Sequence, residues 1–339
     1  MQVFAKSPCR VDLAGGTLDI WPLYLYHANA VTLNFAVNVY TSCRVTQRAG
    51  SAITLKSIDQ KVEETYDSIE TLAAAKKHRH PLAAHVLKHF RPSGGLLVET
   101  DSESPQGAGI SGSSSMLIST VSAFNRLCGT RHPIERVREI AQNIEAQVIS
   151  VPTGCQDYYP AMYGGVSAIH LTVAGIIRKP LPVNIEDLNS RFVLAYTGKP
   201  RNSGINNWEV TKLHIDGDKS VIRNFARIAG IAHAMHGALE TGDWPATAKL
   251  LRDEWSHRKK NAPTITTEVI DHLIATTCKS GAMAAKACGA GGGGCVVFLC
   301  EPGAKQRVAD VIQREGQGYG ARVLPVSVAP KGVMVKASD

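Results

Sequence analysis

The chain has 339 residues, 44% of them apolar, and a formal net charge of +8. That length supports a large core and points to two domains, while no apolar run reaches the ~18 residues that a membrane-crossing helix needs. Basic residues are dispersed, and the densest run, Lys76-Lys77-His78-Arg79-His80, has no interleaved aromatics, so the charge suits anionic small molecules better than nucleic acid.

Residues 1–6 lack the apolar stretch of a signal peptide and lead straight into a strand pattern, which points to the cytoplasm. Over 10–14, Val11 and Leu13 share one face, with Arg10 and Asp12 on the other. A longer alternation follows over 31–39, where Val31, Leu33, Phe35, Val37 and Val39 oppose Thr32, Asn34 and Asn38. A helix is expected over 73–90, starting or bending near Pro81, with the basic run as a solvated face. Then come a strand over 95–100, a glycine- and serine-rich loop, and a helix over 116–127. Pro133 opens a helix that runs to Val148, a position that suits proline. Strand character returns over 162–172. The polar stretch 178–190 reads as a linker or domain boundary, which sets domains at 1–185 and 186–339. Beyond it lie a strand over 191–196, helices over 219–240, 245–259 and 267–279, a short buried strand over Cys295–Cys300, and a helix over 304–315. The mixture predicts an α+β protein. The eight cysteines contain no C-x-x-C, and several sit in apolar runs, the pattern of buried thiols in a reducing compartment.

The loop Pro105-Gln106-Gly107-Ala108-Gly109-Ile110-Ser111-Gly112-Ser113-Ser114 carries the strongest functional signal. Its glycines allow sharp bends and close approach to a ligand. Its serines bring hydroxyls to a helix N-terminus, where unpaired N–H groups and partial positive charge hold phosphate. Gly107, Gly109 and Gly112 also spell G-x-G-x-x-G, but the dinucleotide fingerprint needs an acidic residue at the end of a following strand, and 131–150 is helical in pattern. A Walker A loop needs a lysine that is absent here. A protein-kinase glycine loop needs H-R-D and D-F-G motifs, also absent. A flexible connection is the bland alternative, and the loop's place between strand and helix argues against it.

On the helix over 133–148, Glu145 falls on the apolar face with Ile134, Val137, Ala141 and Val148. An inward carboxylate needs a partner. A salt bridge to an arginine meets that need, and so does Mg²⁺ beside nucleotide phosphates, with Ser113 as co-ligand. Asp157 lies in a turn-like segment. It serves either as a turn residue or as the group that orients an attacking hydroxyl and accepts its proton. Arg10 either pairs with an acid such as Asp12 or stabilises charge beside Asp157. The glycine cluster over 289–294, between apolar runs, reads as a tight loop against another backbone or a ligand.

Together these segments resemble the GHMP kinases. Residues 7–19, Pro105 to Ser114, and Lys286 to Cys295 are similar to that family's three motifs and occur in the same order. The resemblance implies an N-terminal domain like ribosomal protein S5 domain 2 and a ferredoxin-like C-terminal domain, with the site between them. It implies ATP on the loop at 105–114, Mg²⁺ on Ser113 and Glu145, and catalysis by Asp157 with Arg10. Gly112 and Cys288 depart from the family pattern, each removing a hydroxyl. Asp19 matches an aspartate that binds sugar hydroxyls in the family's sugar kinases, with Gly16, Thr17 and Gly291 beside the acceptor. The Gly15-Gly16 pair, Gln156-Asp157 and the run from Tyr196 to Ser203 look more like the heptose-7-phosphate kinase and fucokinase branch. Lys199 and Arg201 would then bind a phosphate already on the sugar, or are simple surface charge. The expected reaction is therefore ATP- and Mg²⁺-dependent phosphorylation of a sugar or sugar phosphate, best the anomeric hydroxyl of D-glycero-D-manno-heptose 7-phosphate. Alternatives are another sugar 1-kinase, a mevalonate-type kinase, or a non-catalytic ligand- or RNA-binding protein on the same fold. The expected partner is the small-molecule substrate, with no nucleic acid and no membrane, and a homodimer is left open.

Overall fold

The computed structural model describes residues 1–201 and 205–338. In chain order its first part contains β1 (Gln2–Ala14), β2 (Val31–Arg48), β3 (Ile53–Ser57), β4 (Val62–Tyr66), α1 (Ile69–Ala74), α2 (Pro81–Phe90), β5 (Gly95–Ser102), α3 (Gly112–Leu127), α4 (Ile134–Ile149), α5 (Tyr158–Tyr163), β6 (Val166–Thr172), β7 (Gly175–Pro180) and α6 (Ile185–Arg191). The remainder contains β8 (Phe192–Tyr196), α7 (Ile205–Ile215), α8 (Lys219–Thr241), α9 (Trp244–Arg258), α10 (Glu268–Cys278), β9 (Ala282–Ala287), β10 (Cys295–Cys300), α11 (Lys305–Gly316), β11 (Arg322–Leu324) and β12 (Met334–Ser338).

Two sheets organise the molecule. The larger has eight strands and runs β12-β1-β2-β5-β3-β4, with β6 and β7 attached beside β2. Strand β2 is its spine: residues Val31 to Phe35 pair with β6, and Thr41 to Arg48 pair with β5. The last strand, β12, returns from the 186–339 segment to pair with β1. The smaller sheet has four strands in the order β11-β8-β10-β9, all antiparallel, and its chain path is β-α-β-β-α-β, the ferredoxin-like arrangement. One continuous core joins the two parts, with Cys9, Val11 and Phe35 of the large sheet packed with Leu194, Met235 and Val297. Among the described residues no helix is long and apolar enough to cross a membrane. Cys9, Cys43, Cys155, Cys288, Cys295 and Cys300 are buried free thiols, whereas Cys278 is exposed.

Helix α3 is pinned to the large sheet by hydroxyls as well as by apolar contacts. Ser7 Oγ donates to Ser115 O at 2.8 Å, and Ser115 Oγ donates back to Ser7 O at 2.9 Å. Thr41 Oγ1 meets Ser115 Oγ at 2.8 Å. These buried bonds fix the first turn of α3, and with it the end of the glycine-rich loop.

Of the two places allowed for the helix expected over 73–90, α2 takes the start at Pro81, which has no N–H to leave unpaired, and the separate helix α1 ends at Ala74. Three expectations are corrected. The basic run lies in the connection rather than on a helix face, and Arg79 and His80 donate their backbone N–H groups to the Glu64 carboxylate at 3.0 and 2.9 Å. The polar stretch over 178–190 is not a linker: it holds the end of β7 and most of α6, whose N-cap Asn184 accepts from Asp187 N at 3.0 Å. The strand expected from residue 162 begins at Val166, since α5 occupies 158–163 and Gly164 and Gly165 then adopt φ of 69° and 67°.

Candidate active site

A cavity of about 440 Å³ opens where β1, the 105–111 loop, α5 and the 289–290 turn converge. The loop is strongly bent. Gly107, Gly109 and Ser111 have φ of 65°, 77° and 61°, so glycine relieves strain at the first two and Ser111 bears it at the helix N-cap. The glycines are also needed for space: a Cβ at Gly109 would stand 2.8 Å from Cys288 O, and one at Gly107 would stand 2.8 Å from Pro200 Cβ. The 289–294 cluster packs directly on the loop, with Cys295 N donating to Ala108 O at 2.7 Å. Ser113 and Ser114 lie in the first turn of α3, beyond the N-cap.

Arg10 and Asp157, far apart in sequence, meet at the cavity floor. Arg10 Nε and Nη2 donate to Asp157 Oδ1 at 2.9 and 2.6 Å, and Nη1 donates to Gly109 O of the loop at 2.7 Å. Burial works against the Arg10 charge, but Asp157 and Asp12 outweigh it and hold the guanidinium firmly protonated. Asp157 keeps a side chain 26% exposed, open to the cavity, whereas Arg10 is 2% exposed.

Behind this pair lies a buried ion network. Asp12 accepts from Lys286 Nζ at 2.5 Å and from Gly289 N at 2.6 Å, and Arg10 Nη1 stands 3.5 Å from its Oδ1. Lys286 also faces Glu254 of α9 at 3.6 Å. Burial alone would raise the Asp12 carboxyl, but Lys286, Arg10 and Arg258 together hold it well below the ordinary carboxylate range. The face of β1 that reads as polar is thus fully enclosed, and its charges are paired.

Glu145 is buried as its helical position requires, but its partners are hydroxyls and no arginine. Ser113 Oγ donates to Oε1 at 2.5 Å, Ser114 Oγ to Oε2 at 2.8 Å, and the Tyr158 hydroxyl also donates to Oε2. Burial nevertheless pushes the carboxyl pKa up, since three hydroxyls solvate the charge only in part.

The other end of the cavity is built around Asp19, which accepts from Gln156 N at 2.9 Å and Gln156 Nε2 at 3.4 Å. A Cβ at Gly154 would come 2.0 Å from Asp19 Oδ2, so glycine is required there. Burial, and then the charge of Asp157, push the Asp19 carboxyl up to about 6. Thr17 donates to Asn207 Oδ1 at 3.1 Å. The Gly16 carbonyl accepts from Arg258 Nη1, whose Nη2 donates to Gly289 O at 2.9 Å.

Arg201 and Lys199 part company. Arg201 lines the cavity, and among the described residues its buried Nε and Nη1 have no hydrogen-bond partner. Burial, and then the charge of Arg10, pull its pKa down to about 10. Lys199 is exposed and does not line the cavity. Gly291 is also outside the lining and packs on Ile265. Asn202 and Ser203, the end of the family-like run, lie outside the described residues. Of the remaining candidates, Arg10, Thr17, Asp19, Glu145, Asp157 and Pro105 to Ser113 apart from the buried Ile110 line the cavity, whereas Gly16 and Ser114 do not.

Sequence reasoning missed Arg258 and Glu254, and noted Gln156 only as part of a family likeness, not as the partner of Asp19. A signal existed for the first two: Glu254 and Arg258 continue the apolar stripe of Ala248, Leu251 and Trp255, the same anomaly that marks Glu145. At its far end the cavity reaches Ser57, Asp59, Arg79, His80 and Leu82, a wall from the β3–β4 hairpin and the start of α2.

Comparison with known proteins bears on the family and the fold. The family model described as GHMP kinases N terminal domain matches residues 74–165, and that described as GHMP kinases C terminal matches 235–318. The chain is 26% identical over 322 residues to a D-glycero-alpha-D-manno-heptose 7-phosphate kinase of Campylobacter jejuni subsp. jejuni serotype O:2, covering 93% of this chain and 94% of that one. It is 27% identical to an L-fucokinase/L-fucose-1-P guanylyltransferase of Bacteroides fragilis, across 99% of this chain and 38% of that larger protein. In fold it is similar to a D-glycero-D-manno-heptose 1-phosphate kinase from Bacteriodes thetaiotaomicron (TM-score 0.79, 22% identity, 99% of each chain). It is likewise similar to a Lactococcus lactis galactokinase complexed with galactose (TM-score 0.80, 19% identity, 98% of this chain and 95% of that one).

Proposed function

This chain belongs to the GHMP kinase family and is a sugar kinase within it, and from that premise we propose that it transfers the γ-phosphoryl group of ATP to the anomeric hydroxyl of a sugar phosphate, best D-glycero-D-manno-heptose 7-phosphate. The carrying observation is the triple contact of Arg10, which ties the Asp157 carboxylate to the Gly109 carbonyl of the phosphate loop. It sets a proton acceptor and a cation side by side where the two substrates would meet.

In this reading ATP phosphates lie against the bent loop and the N-terminus of α3. The acceptor hydroxyl hydrogen-bonds to Asp157, which orients it and takes its proton as the new O–P bond forms and the bond to the ADP oxygen breaks. Arg10, paired with Asp157, offsets negative charge at the centre. Asp19, held by Gln156, accepts hydrogen bonds from further sugar hydroxyls, a role for which a carboxylate is suited and which an apolar acceptor would leave unfilled. The nucleoside would extend toward the wall formed by the β3–β4 hairpin and α2.

The residues present fit Mg²⁺. Ser113 Oγ and Glu145 Oε1 stand 2.5 Å apart at the foot of the loop, two hard oxygen donors beside the expected phosphates. When bound there, the ion would neutralise phosphate charge. Burial disfavours the Glu145 charge in its absence.

ADP release measured with Mg·ATP across a panel tests the reading. The panel holds the heptose 7-phosphate, mannose 6-phosphate, mannose, fucose, galactose, mevalonate and homoserine. Turnover with the heptose phosphate well above the rest is expected, and preference for mevalonate or homoserine would overturn it. Because Arg201 lies beside Gly109 and Gly289 rather than at the distal acceptor end, we assign it to the transferring phosphoryl group. Arg201→Ala should therefore lower kcat for phosphorylated and plain sugars alike, by about 10²-fold or more. A loss confined to phosphorylated acceptors would place it on the sugar phosphate instead.

The raised pKa of Asp19 gives a pH dependence with a definite sign. Above about 6 the carboxyl is ionised and can accept from two hydroxyls, and below it a proton removes part of that capacity. KM for the acceptor should rise as pH falls through about 6, while KM for ATP changes little. The same trend in Asp19→Asn would show that another group is responsible.

A further inference from the structure

A second cleft, of about 250 Å³, lies between the first turns of α8 and the end of α9, and it shares no lining residue with the catalytic cavity. Arg223, Asn224 and Arg227 line it from α8, and His257, Lys260 and Asn261 from the end of α9 and the turn after it. Every ionisable residue in the lining is basic. Arg223, Arg227 and Lys260 are exposed, and none forms an ion pair among the described residues. Nearby acids are engaged elsewhere. Asp253 pairs with Lys249 at 2.8 Å, and Asp218 accepts from Ser220 N and Val221 N at 2.8 and 3.0 Å. That cap takes up the α8 N-terminal donors, so what remains to attract a ligand is the set of side-chain cations.

The floor of the cleft is built. Asn224 Nδ2 donates to His257 O at 2.9 Å and to Asn261 Oδ1 at 2.5 Å, and its Oδ1 faces His257 Nδ1 at 2.8 Å. Burial, and then the charges of Lys260 and Arg227, hold the His257 imidazole below its ordinary pKa against the opposing pull of Asp253. A positive field of this kind, concave and unneutralised, raises the local concentration of anions.

We propose that this cleft binds a small polyphosphate anion, of the size of a diphosphate group. Two guanidinium forks suit phosphate oxygens, and the volume is below that of sites for whole drug-sized ligands, roughly 300–1,000 Å³. The cleft also has a route to the catalytic cavity. Residue 257 lies in the cleft, and the next residue, Arg258, points the other way to the Gly16 and Gly289 carbonyls. An anion that draws Arg227 and Lys260 together would hold the turn that carries Arg258.

The test is calorimetric titration of inorganic pyrophosphate into the full chain without metal, with and without an excess of a non-hydrolysable ATP analogue, for the wild type and for Arg223→Gln/Lys260→Gln. The expected result is a site that survives the analogue and weakens at least about tenfold in the double variant, with an unchanged melting temperature and unchanged kcat in the absence of pyrophosphate. Complete displacement of pyrophosphate by the analogue, or equal affinity in the double variant, would overturn the proposal. Arg227→Gln provides the same reading should the double variant fold poorly.

Discussion

Asp157→Asn is expected to lower kcat for ADP release by about 10²–10⁴-fold while leaving ATP affinity near wild type. The asparagine keeps an oxygen that can accept from Arg10 Nε and Nη2, so the contacts now at 2.9 and 2.6 Å need not be lost. What goes is the negative charge and the capacity to take a proton. Steady-state turnover with the preferred acceptor, set beside an equilibrium titration with ATP, separates the two effects. Turnover near wild type would remove Asp157 from the chemistry and leave it a structural partner of Arg10. The expected pattern is one-sided because, in the proposed reading, the nucleotide would rest on the loop and on α3 rather than on the Asp157 carboxylate.

The second large effect concerns stability. Lys286 is fully buried and is the shared cation of Asp12 and Glu254, at 2.5 and 3.6 Å. Lys286→Met leaves two buried carboxylates with less compensation, and breaking a buried pair in this way costs about 3–5 kcal/mol. A thermal melt should show the loss as a drop of several degrees. Adding Glu254→Gln should recover part of it, because one of the stranded charges is then gone, and the two substitutions will be strongly non-additive. Equal melting temperatures for Lys286→Met and the wild type would mean that Arg10 and Arg258 suffice to hold Asp12. The acid side has a definite sign as well. Asp12 is held below its ordinary pKa, so its contribution is fully present above the ordinary carboxylate range and is lost only as pH falls through its lower folded value. Removing Lys286 should move that loss toward milder acid.

Much of the fold was legible because local patterns report local facts. Helices α3, α4, α8, α9, α10 and α11 were read within a few residues, since each carries an amphipathic stripe and most begin at a capping residue or proline. The weakly patterned pieces were not. Strands β3, β4, β7 and β9 are short, and β9 is the alanine-rich AMAAKA, which has no strand propensity to announce it. Their pairing with neighbours makes them strands.

The candidate site divides in the same way. The bends of the 105–111 loop and the inward carboxylate of Glu145 follow from residue type and spacing, which constrain backbone angles and helix faces without reference to the rest of the chain. Asp157 read on residue type alone serves equally as a turn residue, and only the family resemblance singled it out. The resemblance put Arg10 with Asp157, 147 positions away, but the sequence could not tell that Nε and Nη2 both donate to Asp157 Oδ1 while Nη1 holds the Gly109 carbonyl. Nor could it tell that Glu145 is satisfied by hydroxyls rather than by an arginine, that Arg201 faces the cavity while Lys199 faces solvent, or that the polar face of β1 is sealed against Lys286 and Glu254. Those facts depend on how elements from both parts of the chain pack around one cavity. Alternation along a strand separates its two faces but does not say what covers each, and only tertiary packing decides which charge finds a partner and which is left free to meet a substrate.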